Sequence, residues 1–575
     1  MENLRPGSLL ASFKRSSSLV RLFIVGAIVW SLFAWLIMPQ IISAAYSGRP
    51  VPLLSEIMTG AGAHPISAFL ARWNDVGFTT LVLWGFLGVV VLPRSRTTFA
   101  HSIVGVATAG TLGAIRLYVC LLLIPFALSS SLFEVTTRPG ARRLSMGIMD
   151  LFYALPGFEW LVTNPSGSEL FRAVTVGLLL LAAIGWKTRW TVPLAALLYL
   201  ALVGVERSYT WFNHAGLVPF YVLLVLSFTR CGDGWSLDRW LRKRRGQPVL
   251  PADKPHPHYA WGRYAVWLVI VLPYAAAGLS KLRNGGWMWW DSTNFQAIMF
   301  NHLFRPEVLL PPWVTEMVRL PPWIFAGLGL LTVLTELGMV LLLFSRRARL
   351  ILPLLTVAMH LGIAVLLTIH FWDLILLQAL FYNWGAIARR IRGNGGNWTI
   401  PSPAQLRNVS HFPEQRLRAP LAIFLLVALF LTGWMLRLEV YPLTAMQMFS
   451  GYDGSGVIRY VHPYQTDLIG QTSIAPLRDM GVSGRGYRRL LQEGFVDADS
   501  KQQLTSTLHE VGEQWNGKVH REEQITQLEV VLYEWDFVND RGNPDLGHAV
   551  DHLYVPLSVQ EQVNTNLFYN SGEER

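Results

Sequence analysis

The sequence predicts an all-α polytopic membrane bundle of roughly eleven helices, followed by a small C-terminal α/β or β-rich domain. Two observations carry the bundle. Of 575 residues, 52% are hydrophobic and only 15% charged, whereas a soluble domain is about a quarter charged. The apolar residues also fall in long unbroken runs, each near the ~20 residues that a bilayer core requires. A third observation carries the appended domain. The last stretch, 441–575, is polar and acidic where the rest is apolar and basic.

The apolar runs lie at about 19–43, 77–93, 108–129, 170–186, 190–206, 215–229, 262–280, 323–344, 349–369, 372–386 and 420–437. The first is longer than a signal-peptide core and lacks a small-residue cleavage site, so it is expected to remain as a span. The tenth is short and contains Asp373. Between the runs, basic residues cluster at Arg5/Lys14/Arg15/Arg21, Arg94/Arg96, Lys187/Arg189, Arg239–Arg245, Arg346/Arg347/Arg349 and Arg389/Arg390/Arg392. With these spans every cluster falls on the side of the N-terminus. Lys and Arg favour the cytoplasmic side, which puts the N-terminus in the cytoplasm and the C-terminal domain outside. The same placement disposes of nucleic acid as the meaning of the net charge of +11, because the basic residues flank spans. The expected units are two leading spans in 1–100, a main bundle in 101–440 and an extracytoplasmic α/β domain in 441–575. In that last unit Ser500–Gln514 has a helical pattern and Gln527–Trp535 a strand-like one.

Cys120 and Cys231 are the two cysteines. Neither has metal-ligand spacing, so no metal site and no disulfide framework is expected.

Polar groups inside a membrane are costly, and each is a functional candidate. Trp211-Phe212-Asn213-His214 precedes the sixth span at its outer mouth. Imidazole exchanges protons near neutral pH and an amide both donates and accepts hydrogen bonds. The same residues also suit an interfacial belt. Ala277-Gly278-Leu279-Ser280-Lys281-Leu282 ends the seventh span, and Trp287, Trp289 and Trp290 follow. Lys281 either snorkels to the interface or is kept neutral by an apolar wall, where only the neutral amine acts as a base. His360 sits in mid-span, too deep for snorkelling, as a helix-bonding or functional imidazole. Arg116, Glu336 and Asp373 are intramembrane charges that suit pairing between helices, with Arg116 and Glu336 a plausible couple.

These segments resemble the vitamin K-dependent γ-glutamyl carboxylase family, within the broader horizontally transferred transmembrane (HTTM) grouping. The Trp211–His214 run, followed by Trp235-Ser236-Leu237-Asp238, is similar to the family's Trp-Asn-Asn-His and Trp-Ser-Val-Asp. The Ala277–Leu282 run is similar to Ala-Gly-Val-Lys-Lys-Leu. His360 and Arg116, the latter in Leu112-Gly113-Ala114-Ile115-Arg116, fall where the family has a His and an Arg. The resemblance covers roughly 105–390. Ser280 stands in place of the first Lys of the pair, and the family's later Arg is replaced near Asn301–His302.

The resemblance implies an enzyme in which Lys281 acts as base on reduced vitamin K or menaquinone, with Asn213 and His214 in support. His360, Trp211, Trp290 and Arg116 would line the quinone or substrate pocket. The reduced quinone reacts with O2 to give a strong base, a γ-proton leaves a peptide glutamate, and CO2 adds to the carbanion. The implied partners are the lipid bilayer, a quinone and a secreted Glu-containing peptide, and the implied location is a bacterial cytoplasmic membrane. Two rivals remain open: a non-catalytic HTTM protein assisting maturation or export of a peptide, and a quinone- or lipid-binding membrane protein without turnover.

Overall fold

The computed structural model describes residues 18–47, 49, 51, 65–130, 132–137, 143–209, 214–249, 255–303, 313–384, 418–476, 480, 491, 493–541 and 547–559. Arg5, Lys14, Arg15 and the Arg389/Arg390/Arg392 cluster lie outside the described residues.

Nine described helices are long and apolar enough to cross a membrane, and two shorter apolar helices complete the eleven runs. In chain order they are α1 (Ser18–Tyr46) and α2 (Ile66–Val91), then α3 (Ala109–Leu128), α4 (Pro165–Ile184) and α5 (Thr188–Ser208). Next come α6 (Leu217–Ser227), α7 (Pro257–Gly285) and α8 (Pro322–Gly338). The last three are α9 (Ala348–Leu366), α10 (Trp372–Leu377) and α11 (Arg418–Met435). Helix α2 begins at Ile66, well before the apolar run at 77. Its first turns carry Arg72, Asn74 and Asp75, which interrupt the hydropathy but not the helix. The charge that shortens α10 has a partner, since Asp373 Oδ2 accepts from the Gly216 amide at 2.8 Å.

The described basic clusters between the spans gather at one end of the bundle. Asp238 accepts from the Lys187 and Thr188 amides. Arg263 and Arg349 both lie over Trp267, and Arg96 and Trp261 line one apolar cleft. The C-terminal β region sits at the other end.

That end is built from β1 (Glu439–Val440), β2 (Leu443–Thr444), β3 (Val457–Asp467), β4 (Thr472–Ile474), β5 (Ile525–Asp536) and β6 (His548–Pro556). β1 and β2 form a small hairpin just beyond α11, and the other four make an antiparallel sheet ordered β4-β3-β5-β6. Strand side chains alternate between faces, and each face has its own cover. On one, Leu528 and Val530 pack on Leu504, Leu508 and Val511 of α12 (Ala498–Asn516). On the other, Ile458, Trp535 and Phe537 pack on Met299, Phe300 and Phe325 from the membrane bundle. The sheet is thereby docked on the bundle through an apolar cluster.

Candidate functional site

Lys281 lies near the end of α7 and is only 2% exposed. It does not snorkel. Its Nζ donates to Glu336 Oε1 at 2.8 Å and to the Met448 carbonyl at 3.2 Å. The ammonium position is 5.1 Å from the Trp289 ring centroid. Two sequence expectations are corrected here. The wall around Lys281 is not purely apolar, because a carboxylate from α8 reaches it. Nor is Glu336 the partner of Arg116.

The local sequence explains the approach of α7 and α8. A Cβ on Gly278 would come within 2.9 Å of the Leu337 side chain and 3.2 Å of the Glu336 Cβ. Glycine one turn before Lys281 therefore brings the two helices close enough for a hydrogen bond between lysine and glutamate. Ser280 faces another neighbour and accepts from Trp434 Nε1 at 3.0 Å.

A strap from residues 439–450 closes the site. Trp289 Nε1 donates to the Phe449 carbonyl, and Asn284 Nδ2 donates to Ser450 Oγ. Met446 and Phe449 both hold φ of +52°. The left-handed region costs a non-glycine residue about 1–2 kcal/mol, so these contacts hold the strap in a conformation it would not adopt alone. The His302 ring lies 4.9 Å from that of Phe449.

His214 touches the other limb of the same strap. Its Nε2 is 3.0 Å from Thr444 Oγ1 and 4.0 Å from Glu439 Oε2. Two residues on, Gly216 holds φ of +72° and gives its amide to Asp373. Trp211 and Asn213 lie outside the described residues.

His360, on α9, is buried. Its Nε2 is 2.8 Å from Tyr274 OH, which also accepts from Gln378 Nε2 at 3.2 Å. Tyr274 stands seven residues before Lys281, two turns or ~10 Å along the same helix. Tyr274, His360 and Gln378 thus form a hydrogen-bonded cluster about two turns along α7 from Lys281 and Glu336. Two buried atoms of these two clusters, Glu336 Oε2 and His360 Nδ1, have no hydrogen-bond partner.

Two expected pocket residues stand elsewhere. Arg116 is at the basic-cluster end, fully buried, donating to the carbonyls of Cys231, Trp235 and Ala183. Three carbonyls there accept from its two terminal nitrogens and tie α3 to α4 and the 231–235 turn, while its Nε is buried without a hydrogen-bond partner. Trp290 packs against Gly329 and Trp287, and the indole over Lys281 is that of Trp289. Sequence reasoning missed Tyr274, Gln378, Thr444 and the strap. Tyr274 and Gln378 carry no formal charge and were passed over as span residues.

Among the described residues no group of three His, Cys, Asp or Glu is placed to hold a metal ion. The family model of the HTTM domain matches residues 113–384. No curated protein and no solved structure matches the chain. The stretch of membrane bundle that supplies Lys281, Glu336, Tyr274 and His360 lies within the residues that the HTTM domain model matches.

Proposed function

We propose that this is a membrane enzyme of the vitamin K-dependent carboxylase-like class, acting on a reduced quinone and a glutamate-containing secreted peptide. One observation carries the reading most: Lys281, which by resemblance takes the position of the family's catalytic lysine, is buried and hydrogen-bonded to a carboxylate that is itself buried. A structural lysine at a span end normally reaches for the interface. The enclosure favours chemistry that water would quench.

Two buried atoms without a hydrogen-bond partner, Glu336 Oε2 and His360 Nδ1, support a quinone, which carries two ring oxygens on an apolar body. A reduced quinone bound there, together with O2, supplies a base stronger than any side chain and ends as its epoxide.

In this reading Lys281 takes a proton from the bound hydroxyl, and Glu336 orients the amine and accepts its hydrogen bond. Trp289, Met448 and the strap exclude water. His360 and Tyr274 hold the far side of the pocket, and His214 fixes the strap through Thr444. The peptide's γ-carbon exchanges a proton for CO2. The peptide reaches the site from outside, with the N-terminus of the chain in the cytoplasm.

The close 2.8 Å pair favours one rival. Lys281 and Glu336 would then be a structural staple in a protein that binds quinone or assists peptide export without turnover. Purified full-length protein supplied with reduced menaquinone or vitamin K, O2 and bicarbonate distinguishes the two. Epoxide formation, with the added mass of CO2 on secreted peptides from cells carrying the gene, is expected. Quinone retention without epoxide would overturn the enzymatic reading.

A further inference from the structure

A second polar cluster lies outside the Lys281 site, where α2 meets α7 and α11. Arg283 is two residues beyond Lys281, and its side chain is only 5% exposed. One of its nitrogens, Nη1, donates to the Trp434 carbonyl at 2.9 Å, and its guanidinium stacks 4.6 Å from the Trp434 ring. Its Nε and Nη2 are buried without a hydrogen-bond partner. Asp75 of α2 stands 3.5 Å from Arg283 and 3.8 Å from Arg437, at or beyond the limit of a hydrogen bond. Arg437 Nε is also unpartnered. Arg72, one turn before Asp75 on α2, is exposed. Two guanidiniums therefore flank one carboxylate, whose Oδ2 is also buried without a hydrogen-bond partner.

A buried guanidinium with two unused donors demands an explanation, and the surplus of positive charge says what is missing. Arg437 adds a second sign. It occupies the left-handed position of a Schellman turn that ends α11, with its amide bonded to Trp434 and that of Leu438 to Gly433. Glycine is the usual residue there. An arginine keeps its side chain at a conformational cost.

We propose that Arg283, Arg437 and Arg72 form a binding site for a phosphate-bearing anion, at the end of the bundle that carries the β region. Guanidinium forks match phosphate oxygens in pairs. The site opens through Arg72 and the half-exposed Arg437, at a helix-end level that lipid headgroups occupy. The phosphate comes either from the headgroup of an anionic phospholipid or from a soluble phosphate.

The test uses full-length protein in nanodiscs of phosphatidylcholine alone, of phosphatidylcholine with phosphatidylglycerol, and of phosphatidylcholine with added inorganic phosphate. Melting temperature and native mass spectrometry are the readouts. Stabilisation and retained phosphatidylglycerol adducts assign a lipid headgroup. Stabilisation by inorganic phosphate alone assigns a soluble phosphate. Arg437→Gln and Arg72→Gln sit at the open rim, so they are the first variants. Together they should weaken the anion's apparent affinity about a hundredfold, roughly tenfold for each charge-assisted hydrogen bond lost, with each stabilisation measured against the same variant in phosphatidylcholine alone. Arg283→Gln should abolish the effect, and Arg283→Lys should restore part of it. Equal behaviour in all three media, or an anion preference that survives the rim variants, would overturn the proposal.

Discussion

At the scale of single residues the buried Lys281–Glu336 pair sets the sharpest expectations. Replacing Lys281 by Arg keeps the charge and most of the length, but a guanidinium does not give up its proton. If the amine is the base, Lys281→Arg should form no more quinone epoxide than Lys281→Ala, and wild-type turnover by the Arg variant would end that assignment. Glu336→Gln takes the carboxylate away from the enclosed lysine that donates to it. Breaking such a pair costs about 3–5 kcal/mol, so this variant should lower the melting temperature as well as the epoxide rate. His214 behaves differently. It touches the strap rather than Lys281, so His214→Ala should reduce turnover severely while expression stays near normal; an equal loss of protein and activity would make it structural. Lys281 and His214 stand out in the sequence because one ends a span and the other precedes one, each in a polar, aromatic context. The partner of Lys281 was not. Glu336 stands out as an intramembrane charge, but which helices touch is decided by packing, and Gly278 shows its meaning only once α8 is beside it.

At the scale of elements, local patterns proved informative and connections did not. The strand-like stretch at Gln527–Trp535 lies within β5, and the helical stretch at Ser500–Gln514 within α12, because alternation and helical spacing are local properties. The strap over Lys281 has no such period. Its shape comes from contacts with Trp289, Asn284 and Lys281, so 439–450 reads in sequence only as the end of a span. The β sheet offers a pH-dependent test. His462, on β3, is ringed by Tyr460 and Tyr533, and burial pushes its imidazole below the usual 6.5. The folded state then binds that proton less readily than the unfolded one. The stability it supports is complete above the unfolded value and is lost as pH falls through 6.5 toward the lower folded one. His462→Gln should flatten this part of the melting-temperature profile, and an unchanged acid slope would remove His462 as its source.

At the scale of the whole molecule the eleven apolar runs survive as helices, since long hydrophobic stretches declare themselves in any membrane protein. The boundaries moved where polar residues sit inside helices, as at Arg72 and Asp75 of α2. Reporter fusions test the sidedness. A fusion after residue 345 should report from the cytoplasm and one after residue 500 from outside. A cytoplasmic signal at 500 would remove one span, with α10 the first to be reconsidered.

The strap has a further consequence for how the protein is made. Lys281 finds Glu336 55 residues later in the chain, but Met448 only 167 residues later. At ordinary synthesis rates the lysine waits about 10–30 s for its cover. The HTTM match ends at 384, so all of the strap is synthesised after that stretch. Throughout the interval the nascent bundle carries an open lysine, and a chain released early keeps it open. Completion of the site is a late event of biogenesis, gated by insertion of α11, and a fragment ending at 384 would hold the lysine and its carboxylate without the roof that keeps them dry.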